Sequence, residues 1–369
     1  MRPDYERSIV NITASLMKHY GLTPFHPTLP KLDAKLSEGY KHVVLLVLDG
    51  LGVNAMREHL SEDSFLRRHQ KDTLTSVFPA TTTAATTAIL TGKTPYETGF
   101  LGWFQYFKDE DIHYEIFTNK DFYDEEKEIP NGFYDKHFKR ETVLDLLHRA
   151  DKSLKTKGVF PEIVEENGYR TYEEGFKRCL DFQKKHDRTL TYLYSVEPDK
   201  TEHHTGMTGA PTKTMVQTLN EHVETFREQI GRDTLVVVTA DHGLVDVTDI
   251  ALFDYHDLTC TFEHLPANEP RMTNFFIKKG MKEHFINFFN EHFSQYFDLF
   301  TKEELLTSKL LGNGEKHPLV DYCLGDFIAV AKDRFFFRLS DEKIHLGHHA
   351  GYTRGEMEVP LIYFDRKDG

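Results

Sequence analysis

Three aspartates stand just beyond apolar runs. Asp49 follows residues 43–48, Asp199 follows residues 190–196, and Asp241 follows residues 234–239. A fully apolar run that ends in an acid reads as a buried parallel strand stopping at a loop. In open α/β sheets such strand ends form the rim where ligands bind. Three acids gathered on one rim repel each other unless cations sit among them. Histidines accompany the acids: His203, with His204 beside it, follows Asp199, and His242 follows Asp241. His345, His348 and His349 form a late cluster. Mixed Asp/His sets suit zinc, or a similar divalent ion, in hydrolysis.

The elements that must position these residues alternate along the chain. Helical patterns are predicted over 54–60, 63–70, 81–90 and 141–150. A helix over 172–186 leads into the strand 190–196, and a helix over 212–230 leads into the strand 234–239. That alternation predicts an α/β fold, a mostly parallel central sheet covered by helices on both faces. Residues 251–344 have a different texture, with strand-like runs at 273–277, 327–331 and 335–339 around an aromatic-rich helix at 282–293. They are expected to form an inserted α+β subdomain that overhangs the site and shapes substrate choice. Residues 1–250 and 345–369 then make the catalytic core, with 359–364 returning to its sheet.

Five stretches in order resemble the alkaline phosphatase superfamily, in its type I phosphodiesterase / nucleotide pyrophosphatase branch. They are Leu48-Asp49-Gly50; Phe78-Pro79-Ala80-Thr81-Thr82-Thr83 with Thr91-Gly92; Glu197-Pro198-Asp199 with His203; Ala240-Asp241-His242-Gly243; and His349-Ala350-Gly351-Tyr352 up to Val359-Pro360-Leu361. The resemblance implies an alkaline-phosphatase-like fold and two divalent metal ions, zinc or alternatively manganese. One metal site would comprise Asp49, Asp241, His242 and the nucleophile oxygen. The other would comprise Asp199, His203 and His349, with His348 the alternative and His345 structural. The nucleophile matches Thr82, a hydroxyl that needs direct metal coordination to act at neutral pH. The expected activity is phosphodiester or pyrophosphate hydrolysis through a covalent phospho-enzyme, on a small-molecule phosphoester. A phosphomutase or phosphomonoesterase is the alternative within the superfamily, and a catalytically inactive binding relative the alternative outside enzymes.

Plainer roles exist for several of these residues: Thr82 as a helix cap among Thr81 and Thr83, His204 as an exposed bystander, Gly50 and Gly52 as turn residues. The family's animal enzymes place an asparagine three residues beyond the nucleophile, where this chain has Ala85; a backbone N–H at the helix start is the expected substitute. Phe104, Tyr106 and Phe107 are candidates to grip a base, with core packing as the simpler reading. Arg271 is a candidate phosphate contact, with an ordinary surface arginine as the simpler reading.

Composition excludes other classes. A net charge of -14 argues against a nucleic-acid polymer as partner. No cysteine stands in a Cys-x-Pro-x-Arg setting, which disfavours a sulfatase; Cys179, Cys260 and Cys323 read as free thiols. Residues 1–20 carry Arg2, Asp4, Glu6, Arg7 and Lys18 and no continuous apolar stretch, and the run 43–48 is too short to span a bilayer, so neither a leader nor a membrane partner is expected and a cytoplasmic location is.

Overall fold

All seven residues of the strand His42–Leu48 are buried, and it pairs in parallel with Thr189–Ser195 on one side and Thr234–Thr239 on the other. Side chains alternate across a strand, so complete burial means that both faces of the sheet are covered. This is the centre of a six-stranded sheet in the computed structural model, which describes residues 1–340 and 345–367. The strand order is Gln70–Thr75, Glu358–Phe364, Thr234–Thr239, His42–Leu48, Thr189–Ser195, Lys155–Val159. Glu358–Phe364 alone runs antiparallel to its neighbours. The helices Ile9–His19, Tyr172–Lys184 and Ala210–Gln229 pack their apolar residues into one core with this sheet. The fold is the α/β, helix-covered sheet that the alternation predicts.

Register places the site. Leu48 is level with Ser195, and Val47 with Thr239. The three central strands therefore end together, and the residues just past them share one rim.

A second sheet has seven strands, all antiparallel where paired: Phe297–Thr301, Phe327–Ala331, Met272–Ile277, Phe262–Asn268, Phe104–Phe107, Ile112–Glu115 and Lys120–Asp121. Its core is aromatic. Phe285, Phe289 and Phe293, spaced four apart on the helix Lys282–Phe293, pack with Phe275 and Phe337. The segment 251–344 supplies four of these strands, and residues 104–121 supply the other three. Those three are short and flanked by polar turns, which hides them from periodicity. The strand Gln70–Thr75 occupies residues that read as the end of a helix and the chain after it. It is polar and half-buried because it lies at the sheet edge.

Candidate active site

Asp49 sits in a tight turn whose next residue, Gly50, has φ 78°. A Cβ on Gly50 would lie 2.8 Å from both Cα and Cβ of Asp199, so only glycine lets these two strand ends close up. The backbones confirm the closeness: Asp199 N donates to Asp49 O at 2.9 Å, and Asp49 N to Ser195 O at 3.0 Å. Asp241 Oδ1 accepts from its neighbour His242 N at 2.9 Å and from Gly50 N at 3.2 Å. Thr82 opens the buried helix Thr82–Thr91, whose alanines and threonines are small enough to lie against the helix Ile9–His19. That helix ends at Gly92, in the left-handed conformation.

These elements bring all seven expected residues together. Thr82 Oγ1 lies 3.2 Å from His242 Nε2 and 3.5 Å from Asp49 Oδ2. His242 Nε2 lies 3.4 Å from Asp49 Oδ1 and from Asp241 Oδ2. On the other side of the cluster, Asp199 Oδ1 is 3.4 Å from His203 Nε2 and 3.8 Å from His349 Nε2. The rings of His242 and His349 stack at 4.0 Å. Two trios result, Asp49–Asp241–His242 and Asp199–His203–His349, each with one ligand atom per residue within 4.8 Å of the others.

Each imidazole is held the same way. His203 Nδ1 donates to Gly347 O at 2.9 Å, His349 Nδ1 to Ala80 O at 3.2 Å, and His242 Nδ1 to Gly243 O at 3.3 Å. Every Nε2 lone pair is thereby aimed at the carboxylates, the arrangement that orients metal-ligating histidines. His348 differs: its Nδ1 lies against its own neighbour, 2.9 Å from the His349 amide and 3.1 Å from the His349 carbonyl, and its ring packs on Phe336. His204 is exposed and bonds within its own helix to Lys200 O. His345 lies beside the His203 ring, centroids 4.6 Å apart.

The electrostatics are those of a site built for cations. Asp49 Oδ1, Asp199 Oδ1 and Asp241 Oδ2 are buried and accept no hydrogen bond. Burial, then Asp241 and Asp199, hold the Asp49 carboxyl well above its usual range; burial, then Asp241, does the same to Asp199. Burial pushes the His203 imidazole down to about 3 and that of His349 well below its ordinary value, keeping both neutral. Buried acids beside neutral imidazoles, with carboxylate oxygens left unpaired, are the donor set of a divalent-metal centre.

Other residues depart from expectation. Arg271 is neither on the surface nor free to meet a phosphate: it is fully buried, and its Nε and Nη2 clamp Glu356 at 2.6 and 2.9 Å. Phe104, Tyr106 and Phe107 follow the simpler reading and are buried in packing; Phe104 stacks on Phe122 at 3.8 Å. Trp103, whose backbone amide shares a Glu269 oxygen with Thr81, lies edge-on to the exposed Phe117. Three site residues carry no motif in the sequence. Tyr194, on the Asp199 strand, donates its hydroxyl to Asp49 Oδ2. Glu202 is buried, with neither oxygen hydrogen-bonded. Glu269, just past a strand of the second sheet, reaches Thr81 and the backbone of Trp103. Of these, Tyr194 alone left a signal, an inward position of the strand that leads to Asp199.

Residues 43–352 match the family described as type I phosphodiesterase / nucleotide pyrophosphatase. The chain belongs to that family. It is a hydrolase of the phosphodiesterase / pyrophosphatase type, as the ordered motifs imply. A comparison with curated proteins finds no match. Among solved structures, murine ectonucleotide pyrophosphatase / phosphodiesterase 5 is similar in fold, with a TM-score of 0.67 at 15% identity over 86% of this chain and 87% of that one. An inactive threonine-to-alanine variant of the murine protein, in complex with AMP, gives 0.67 at 16% identity over 88% of each chain. The human counterpart gives 0.65 at 15% identity over 88% of this chain and 87% of that one. Among the described residues no helix is long and apolar enough to cross a membrane.

Proposed function

We propose that this family member is a two-metal phosphodiesterase or nucleotide pyrophosphatase with Thr82 as its nucleophile. The observation that carries the reading is the pair of Asp/His trios with three buried, unpaired carboxylate oxygens among them, one trio within 3.2 Å (His242 Nε2) and 3.5 Å (Asp49 Oδ2) of Thr82 Oγ1. Asp49, Asp241, His242 and Thr82 would hold one divalent ion, and Asp199, His203 and His349 the other. When bound, zinc or manganese supplies Lewis-acid stabilisation of the attacking and leaving oxygens. Three aspartates and the Thr82 alkoxide balance the four positive charges of two such ions. Thr82 Oγ1 then forms its bond to phosphorus as the bond to the leaving oxygen breaks. Water attacks the resulting phosphothreonine and restores the hydroxyl.

A diester is the favoured substrate. No Arg or Lys occurs between Leu74 and Gly92, and Arg271 is committed to Glu356. A monoester dianion would meet no side-chain cation from either source, whereas a monoanionic diester needs less compensation. AMP in the murine variant's structure makes a nucleotide diester or pyrophosphate the first class to try.

The test compares kcat/KM for bis(p-nitrophenyl) phosphate and p-nitrophenyl phosphate at equal metal loading, alongside elemental analysis. Two ions per chain and a diester preference that vanishes in Thr82→Ala are expected. At most one ion in fully loaded protein would refute the two-metal centre. A Thr82-dependent monoester preference would refute the diesterase assignment.

A further inference from the structure

Thr81 is the N-cap of the helix that starts at Thr82, yet its side chain caps nothing. A threonine there ordinarily accepts a hydrogen bond from the amide of the second or third helical residue. Thr81 Oγ1 instead donates to Glu269 Oε1 at 2.6 Å, and the same oxygen accepts from Trp103 N at 2.6 Å. The hydroxyl of Thr83 is drawn away too, to Gly102 O at 2.8 Å. The first backbone bond of the turn is Ala85 N to Thr81 O, and the amides of Thr82, Thr83 and Ala84 donate to no protein group among the described residues. This open helix end is no isolated terminus, because Thr82 Oγ1 lies 3.5 Å from Asp49, whose buried Oδ1 is unpaired, and 3.2 Å from His242 Nε2. Glu269 belongs to the segment that closes the second sheet, so the tie crosses from one sheet system to the other.

We propose that Glu269 is a positioning residue for phosphoryl transfer: by holding the Thr81 hydroxyl off the helix end, it keeps the amides of Thr83 and Ala84 free to stabilise the transferring phosphoryl group. Amides at a helix start are suited to that charge, and Ala85 offers no side-chain donor in their place. The inference rests on Thr82 being the nucleophile. Without Glu269, Thr81 turns back to cap its helix and consumes one of the donors.

The test is a rescue series assayed with bis(p-nitrophenyl) phosphate, with metal content and orthovanadate inhibition measured on each variant. Glu269→Gln keeps an acceptor oxygen and should keep near-native kcat. Glu269→Ala should lose kcat on the order of 10²-fold, the usual cost of one such donor, with KM little changed, vanadate affinity reduced and both metals retained. Adding Thr81→Ala to Glu269→Ala should restore most of the loss, since alanine cannot cap. Thr81→Asn, a neutral and strong cap, should reproduce the loss with Glu269 intact, which keeps the test decisive if Glu269→Ala does not fold. A double variant as slow as Glu269→Ala, or a Thr81→Asn variant with native kcat, would overturn the proposal alone. A fully active Thr82→Ala would overturn it together with the nucleophile assignment.

Discussion

Asp49 is the residue most tightly governed by its surroundings. One carboxylate oxygen, Oδ2, takes the Tyr194 hydroxyl, which leaves Oδ1 without a hydrogen bond beside His242. Tyr194 thus fixes the rotation of a carboxylate whose Oδ1 faces His242 and whose Oδ2 faces Thr82. Tyr194→Phe should weaken metal binding by about 10- to 100-fold, the usual cost of losing such a supporting contact. Chelator competition reads this directly, and unchanged affinity would show that Asp49 needs no such support. Glu269 gives the pH prediction. Burial raises its carboxyl from 4.5 to about 8, against the opposing pull of its bonds to Thr81 and Trp103. A raised carboxyl means that the folded state holds its proton longer than the unfolded state does. Stability is therefore lost as pH climbs from about 4.5 and the loss is complete above about 8. Glu269→Gln removes this titration. In chelator-treated protein its melting temperature should gain on that of the wild type between pH 5 and pH 9. A difference independent of pH would contradict the shift.

At the scale of elements, the site depends on strand ends meeting closely. Gly50 combines a left-handed backbone with a Cβ position already occupied by Asp199 and Leu244. Gly50→Ala adds roughly 1–2 kcal/mol of backbone cost, and the clash forces the Asp49 and Asp199 loops apart. The expected outcome is a lowered melting temperature together with loss of metal from both trios, measured by calorimetry and elemental analysis. A variant that keeps both ions would show that the two loops move independently. The sequence singled out Gly50 as a turn residue, but not the reason the turn must be so tight. That reason is the approach of a residue 149 positions away (199 − 50).

At the scale of the molecule, the buried Arg271–Glu356 pair ties the second sheet to the segment carrying His349. Arg271 stands just before the strand Met272–Ile277, and Glu356 lies in the helix Arg354–Met357 that leads into Glu358–Phe364. Glu356 also accepts from Gly351 N at 2.8 Å, and its carbonyl takes Gly243 N at 2.9 Å, beside His242. Removing one partner of such a pair strands a buried charge. Arg271→Ala should cost roughly 3–5 kcal/mol and reduce activity through His349 and His242 rather than through lost substrate contact. Denaturant unfolding with parallel KM measurement checks this. A large rise in KM with native stability would return Arg271 to the role of a phosphate contact.

Much of the site was legible in the sequence because a strand end announces itself locally. An apolar run followed by Asp needs only the chain's own pattern to be seen, and three such ends with following histidines already point to a metal rim. The aromatic helix at 282–293 and the alternation of helix with strand are local in the same sense. What the sequence could not reveal depends on distant partners. The choice between His348 and His349 turns on which ring presents its Nε2 to Asp199, as His349 does with its Nδ1 on the Ala80 carbonyl. The burial of Arg271 turns on a glutamate 85 residues away. The second sheet pairs Asn268 with Phe104 across a long separation, and strands as short as Phe104–Phe107 exist only through such pairing. Local patterning sets which residues end at a strand tip. Only tertiary packing decides which oxygens there remain unpaired, and an unpaired buried carboxylate oxygen is what a metal can use.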